Sequence, residues 1–255
     1  MPEGAGLDAT WLEHRFDLFE RLCLPAMGVQ KATVTWLVFF DALTPTDFMV
    51  RAENYHTAVS SLEIVIVDGR LTDTRIAQYV RARLPGAEVR LCTTRLDNDD
   101  AIATRYLARV QAEARSGQVP RFINFPLGYQ WYDNGLYLWI DRANPFVSFV
   151  ETVAPGTTPQ TVMCDRAHSE IRAVASVQQV IASPAWVQVV HSRNVANTLR
   201  GVRRQRSTQP RTFVGQSAVA DNDTWPARLR DFVGSLGSIV TRIARRMPRV
   251  GRSMS

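Results

Sequence analysis

Cysteine is scarce in this 255-residue chain: there are three, with no Cys-x-x-Cys pair among them. Cys23, Cys92 and Cys164 stand far apart and are odd in number, which argues against a disulfide framework and a structural zinc site and makes a reducing compartment the default. No apolar run approaches the roughly 20 residues needed to span a bilayer. The opening Met-Pro-Glu-Gly lacks the basic and apolar regions of a signal peptide. The expected location is therefore cytoplasmic, or peripheral at the inner face of the cytoplasmic membrane. A net basic charge is also missing from most of the chain. From Arg200 onward twelve Arg stand against Asp221, Asp223 and Asp231, a balance of +9, which out of a total of +6 leaves −3 for residues 1–199. The high overall pI thus gives no reason to expect a nucleic-acid partner for those residues.

What is present first is apolar content, 45%, ample for the core of one large α/β domain or two small ones. A first helix is expected to begin near Thr10, whose spacing to Glu13 is that of a capping box. Its apolar stripe is Leu12, Phe16, Phe19 and Leu22 or Cys23, and it should end before Pro25. Residues 33–40 read as a buried strand delivering Asp41 at its C-terminal end, and residues 61–67 as another, closed by Asp68-Gly69. A helix over 72–84 is marked by Ile76, Tyr79, Val80 and Leu84 and stops at Pro85-Gly86; a third strand follows over 88–94, then a helix from Ala101 to Arg115 ending at Gly117. Strands alternating with helices predict a mostly parallel sheet, with ligands bound beyond the carboxyl ends of its strands. Past residue 120 short strands take over, including 129–132 and 136–140 around Asp133-Asn134-Gly135, a two-residue hairpin signal. An antiparallel half is expected to follow the parallel one.

Directly after the third strand, Arg95-Leu96-Asp97-Asn98-Asp99-Asp100 places three carboxylates within four positions. Mg²⁺ and Mn²⁺ prefer oxygen ligands and are held by one or two carboxylates with substrate phosphates completing the shell, so the cluster points to a metal-bound nucleotide substrate. Asp and Asn also cap helices and close turns. That alternative accounts for one acid more readily than three, and on this segment alone both readings stand. A calcium EF-hand loop fits poorly, because its sixth position requires glycine and Ile102 stands there.

Composition places a linker at 201–225 between a domain at 1–200 and a basic amphipathic helix at 226–255. In the last segment Leu229, Phe232, Val233, Leu236, Ile239, Val240, Ile243 and Met247 share about a third of the helical circumference, with arginines on other faces. Such a segment suits an anionic membrane surface through residues 226–249, docking on its own domain, or a partner helix. Gly234 and Gly237 each cost about 1 kcal/mol of helicity, so the segment needs an apolar surface to become ordered.

Taken together, Arg15-Phe16-x-Leu18-Phe19-Glu20, Cys23-Leu24-Pro25, Gln30, Trp36-Leu37-Val38-x-Phe40-Asp41, Thr44-Pro45 and the acidic cluster resemble the bacterial putative rhamnosyl transferase family. Asn144-Pro145-Phe146-x-Ser148-x-x-Glu151 and Pro184-Ala-Trp186-x-Gln188-Val-Val-His191-x-x-Asn194 resemble its later blocks, so the similarity covers most of residues 11–195. The resemblance implies a GT-A-like glycosyltransferase with a Rossmann-type sheet and an Asp-x-Asp motif, taking a nucleotide-sugar donor with Mn²⁺ or Mg²⁺. On that pattern Asp99 is the direct metal ligand, Asp97 serves the metal through water or the donor ribose, and Asp100 caps the next helix. Arg95 either lies near the diphosphate or pairs with a neighbouring acid. The family's pattern has a further strand with a Thr-Arg-Phe-like segment ahead of the first helix, whereas this sequence begins almost at that helix. Either the assigned start lies downstream of the true one, or donor binding is impaired.

For the base that takes the acceptor's proton, Glu151 is the first candidate, with Asp141 and Asp133 behind it. A base acting from the face opposite the departing diphosphate would invert the anomeric centre. His191, at a strand end, is a candidate third metal ligand or diphosphate contact, and His168 a weaker one, although a lone histidine is more often structural. Trp131, Tyr132 and Trp139 are candidates to stack on an acceptor sugar, or core residues. The acceptor is expected to be an envelope glycan or lipid-linked sugar. Rival readings are a metal-dependent phosphoesterase and a catalytically impaired membrane-associated scaffold.

Overall fold

The structure is a computed structural model that describes residues 8–164, 167–191 and 198–206, the last four of these by backbone alone. Most of the expected linker and all of the basic amphipathic segment lie outside the described residues.

The chain opens on a helix in three parts, α1 (Ala9–Leu18), a π turn (Phe19–Cys23) and α2 (Leu24–Gly28). Its N-cap is Asp8, whose carboxylate accepts the Trp11 N–H at 2.9 Å, two residues ahead of the Thr10 expected from spacing. Aspartate there satisfies an orphan donor and also sets negative charge against the positive helix end. Pro25 does not end the helix as expected. The Leu24 N–H reaches back five residues to the Phe19 carbonyl, so the ladder restarts just before the proline, whose missing N–H falls in a new first turn.

There follow β1 (Trp36–Asp41), α3 (Thr46–Glu53), α4 (Tyr55–Ala58), β2 (Leu62–Val67), α5 (Asp73–Arg81), β3 (Val89–Thr94), β4 (Ala101–Ile102), α6 (Tyr106–Ala114), β5 (Arg121–Asn124), β6 (Leu127–Tyr132), β7 (Gly135–Ile140), β8 (Ser148–Val153), a 3₁₀ turn (Ile171–Ala173), β9 (Ser176–Gln179), β10 (Trp186–Val189) and β11 (Val202–Arg206). As expected, β1 and β2 pair in parallel, from Trp36 opposite Leu62 to Asp41 opposite Val67. β3 does not join them. It runs antiparallel to β8, Thr94 opposite Ser148 and Leu91 opposite Glu151, in a four-stranded sheet of order β3-β8-β5-β9. A five-stranded sheet has the order β11-β7-β6-β10-β4.

The architecture is mixed α/β. Among the described residues β1–β2, β5–β9 and β6–β10 are parallel, and the other pairs are antiparallel. The mostly parallel sheet expected from strand–helix alternation thus reaches only β1 and β2 in the first half. Alternation does not say which neighbour β3 takes. β8 carries Phe149 and Val150, both with no exposed surface, and a strand this apolar is covered on both edges, by β3 and β5.

The hairpin between β6 and β7 turns as expected on Asp133 and Asn134, both left-handed at φ 45° and 53°, which is the two-residue turn whose twist matches the strands. β11 pairs with β7 and so carries the sheet past residue 200, into what composition read as linker. The main core joins the opening helix to the sheets through Phe16, Phe19, Tyr55, Tyr106, Phe125 and Trp186. Trp186 is 1% exposed, stacks on Phe146 at 4.9 Å and donates its indole N–H to the Phe125 carbonyl at 2.8 Å. Gly128 on β6 lies beneath that indole, where an added Cβ would come within 2.1 Å of a ring carbon.

Candidate active site

The acidic cluster leaves the carboxyl end of β3 and is folded down by two bonds. Its Asp100 N–H reaches the Asp97 carbonyl at 3.1 Å, and the Asp100 carboxylate accepts the Val189 N–H of β10 at 2.8 Å. Asp100 is 1% exposed and caps no helix, contrary to expectation. Ala101 and Ile102, each 1% exposed, form β4 against Val187 and Trp186, so α6 starts only at Tyr106, after an Arg105 that provides no side-chain cap. Burial beside β10 outweighs the helical preference of that stretch. With water excluded, burial itself pushes the Asp100 carboxyl well up, and the adjoining Asp99 and Asp97 carboxylates add to it.

Asp99 is the meeting point of three distant segments. Its side chain is 6% exposed, and the same oxygen, Oδ2, accepts Arg15 Nη1 of α1 at 2.9 Å and lies 3.1 Å from His191 Nε2, just past the end of β10. His191 in turn meets the His14 ring edge-on, with centroids 5.1 Å apart. Cys23 closes the π turn: burial pushes its thiol well up, and the charges of Asp100, Asp99 and Asp97 add to that. A widened turn facing a polar centre is a common accompaniment of function. Gln30 holds the opening helix in this position, its amide donating to Ala26 O at 2.9 Å and Ala103 O at 3.0 Å and accepting from Leu107 N at 3.2 Å.

Arg95 realises the ion-pair alternative: its Nε donates to Asp97 Oδ1 at 3.0 Å, with both side chains about a third exposed. Among the described residues the centre therefore holds two carboxylates, each paired with a guanidinium group, an imidazole at Asp99, and the buried carboxyl of Asp100.

The remaining candidates lie elsewhere. Glu151 is three residues along β8 from the Ser148 that faces Thr94, about 10 Å at the usual strand rise. Its two oxygens accept the N–H groups of Gln160 and Thr161 at 3.0 and 2.9 Å, pinning the following loop to the strand. Asp141 is nearer in the fold. Thr94 of β3, Ser148 of β8 and Ile123 of β5 share one end of the sheet. The turn 141–144 is tied to that end by Asn124 and by the fully buried Asn144, both donating to the Asp141 carbonyl. The Asp141 carboxylate accepts the Ala143 N–H at 2.8 Å. His168 bonds the Ala143 carbonyl. Asp133 sits in the hairpin turn. Trp131 packs on Leu18, Leu22 and Val189, and Trp139 on the main core; Tyr132 is 43% exposed.

His14 and Arg15 had no role in the sequence reading. A signal was present, since Arg15 opens the first block of the family pattern on the polar flank of a helix whose other face is apolar. Nothing in 84 residues of separation, however, announces that it meets Asp99.

A mixed α/β protein with a charge-matched carboxylate centre at strand ends is the class that fold and site define. The chain belongs to the putative rhamnosyl transferase family, whose model matches residues 5–203. No curated protein matches the chain. Among the described residues no helix is long and apolar enough to cross a membrane.

The donor set was tested against the divalent ion that a GT-A-like reading implies. Among the described residues no three His, Cys, Asp or Glu side chains form a ready-made cage. Mg²⁺ and Mn²⁺ do not demand one, since one or two carboxylates and substrate phosphates suffice. The hard oxygens of Asp97 and Asp99 fit Mn²⁺ or Mg²⁺ in that mode; the nitrogen of His191, 3.1 Å from Asp99 Oδ2, is a softer donor than either ion prefers.

Proposed function

We propose that this chain transfers a sugar, rhamnose by the family's name, from a nucleotide-sugar donor to an envelope glycan or a lipid-linked acceptor in a GT-A-like site. The observation that carries the reading is the buried Asp99 carboxylate at the carboxyl end of β3, gripped by Arg15 and His191 in a chain of this family. Asp97 and Asp99 are the residues to hold Mn²⁺ or Mg²⁺, with His191 as third ligand or diphosphate contact. Bound there, the ion would supply positive charge against the negative charge that develops on a departing diphosphate.

The chain's own residues supply the rest. Asp100 and Val189 fix the loop against β10 and keep Asp99 and His191 in register. Of the three carboxylates considered as base, Asp141 is preferred; Asp133 sits in the β6–β7 hairpin turn. The Asp141 turn is tied to the same end of the sheet as the cluster, whereas both oxygens of Glu151 are engaged by backbone N–H groups. Asp141 accepts the proton of the acceptor hydroxyl as the oxygen attacks the anomeric carbon from the face opposite the diphosphate, so the configuration inverts. The basic amphipathic segment at 226–249 would hold the enzyme on an anionic membrane surface where such acceptors reside.

The test is thermal stabilisation by a panel of nucleoside diphosphates and nucleotide sugars with Mn²⁺, followed by product analysis. A ligand at 100 times its dissociation constant adds about 2.7 kcal/mol of stability. A Mn²⁺-dependent shift with one nucleotide, lost in Asp99→Asn, is expected. Hydrolysis of the donor's diphosphate to sugar 1-phosphate and nucleoside monophosphate without an acceptor would favour a phosphoesterase, and no binding by any donor a scaffold.

A further inference from the structure

Two cations of the protein already occupy the oxygens that a metal-binding role requires, and one of them is incompletely satisfied. Arg15 donates Nη1 to Asp99 and packs its guanidinium 5.7 Å from the Trp11 ring. Its Nε is buried and has no hydrogen-bond acceptor among the described residues. A buried N–H left unmade costs more than an average hydrogen bond gains, so such a group calls for an explanation. Arg95 directs its fork to Asp97 within the same loop. Among the described residues the resting centre thus holds two carboxylate–guanidinium pairs, Asp99 with Arg15 and Asp97 with Arg95, with His191 also at Asp99.

We propose that Arg15 is a diphosphate-binding residue that exchanges partners: on donor binding its guanidinium leaves Asp99 for the phosphate oxygens, Nε included, and frees Asp99 for the divalent ion. The inference rests on the nucleotide-sugar reading of the same site. Charge conservation favours the exchange. A diphosphate brings two negative charges and a divalent ion two positive ones; two carboxylates take the cation and two guanidinium groups take the phosphates. Counted over these four side chains the exchange leaves the net charge unchanged, which matters where the Asp99 carboxylate is nearly buried. The planar guanidinium suits the new partner, since phosphate oxygens accept its N–H groups in pairs.

The exchange makes two affinities move in opposite directions. Full-length protein is titrated with Mn²⁺, free ion being read by electron paramagnetic resonance, and with inorganic pyrophosphate by calorimetry in the presence of Mn²⁺. In Arg15→Gln, Mn²⁺ alone should bind severalfold tighter, because a competitor for Asp99 is gone. Pyrophosphate should bind about tenfold or more weakly, because charge-assisted bonds are lost. Arg15→Lys keeps the charge and loses the fork, and should fall between for pyrophosphate. Pyrophosphate affinity unchanged in Arg15→Gln would overturn the role of Arg15 while leaving the donor site standing. Loss of both affinities in both variants would make Arg15 a structural counter-ion and overturn it equally. No pyrophosphate binding by the wild-type protein would remove this inference together with the reading it rests on.

Discussion

Asp100 separates two explanations of the acidic cluster, and the structure sets the size of the difference. If its work is to accept the Val189 N–H inside the protein, the acceptor matters and the charge does not. Asp100→Asn keeps an oxygen for Val189 and presents an amide to the neighbouring Asp99 and Asp97, whose carboxylates together with burial already favour an uncharged Asp100. The variant is expected within about 1 kcal/mol of wild type, on the stabilising side if the amide finds those carboxylates. Asp100→Ala leaves a buried N–H unpaired and a small void, a loss of about 2–4 kcal/mol. For a chain of this size 1 kcal/mol moves Tm by about 2–4 °C, so the alanine variant should melt about 4–16 °C lower and the asparagine variant within a few degrees of wild type. Differential scanning calorimetry of both, with Mn²⁺-dependent nucleotide binding as a second readout, decides it. Val189 lies two residues before His191, so Asp100→Ala should weaken that binding as well. Equal destabilisation by Asn and Ala would refute the argument, because it would mean that the charge, not the acceptor, holds β10.

Three further outcomes are expected. Glu20 accepts both arms of Arg51, at 2.6 and 2.8 Å, and the Tyr55 hydroxyl at 2.7 Å, and chiefly the Arg51 bond holds its carboxyl below the usual range. Glu20→Gln should cost about 1–2 kcal/mol at neutral pH, discounted for a side chain a third exposed. Since the folded pKa is depressed, this contribution is full above the unfolded value near about 4.3 and is lost as pH falls through the folded one. The Tm gap between variant and wild type should therefore close in acid, and a gap constant from pH 7 to 3 would contradict the assignment. Gly128→Ala drives a methyl into the Trp186 indole, which is fixed by its stack and its hydrogen bond; a loss of about 3 kcal/mol or more, with altered tryptophan fluorescence, is expected, and a wild-type melt would show the indole free to move. Cys23 is 1% and Cys164 7% exposed, and burial pushes the Cys92 thiol up to about 11. Ellman's reagent at pH 8 should label native protein far more slowly than guanidinium-unfolded protein, which yields three thiols; rapid native labelling would contradict that packing.

The sequence by itself determined the features that depend on near neighbours. The apolar runs of β1 and β2, the Asp133-Asn134 hairpin and the carboxylates at the end of β3 were legible because strand period and turn chemistry act within a few residues. The blocks from Arg15 to His191 likewise carried the family. Tertiary structure decided what depends on residues far apart. β3 left the expected parallel sheet because β8, fully apolar at Phe149 and Val150, takes it as an edge neighbour. Asp100 became an acceptor for β10 in place of a helix cap, because burial of Ala101 and Ile102 beside Trp186 moved the helix start to Tyr106. Glu151, the first candidate for the base, is engaged by a loop nine and ten residues on. Arg15 and His191 reach Asp99 across 84 and 92 residues. Local pattern can place each charge on an element, but only the packed fold selects which charges meet, since Coulomb and hydrogen-bond energies fall off over distances that sequence separation does not encode.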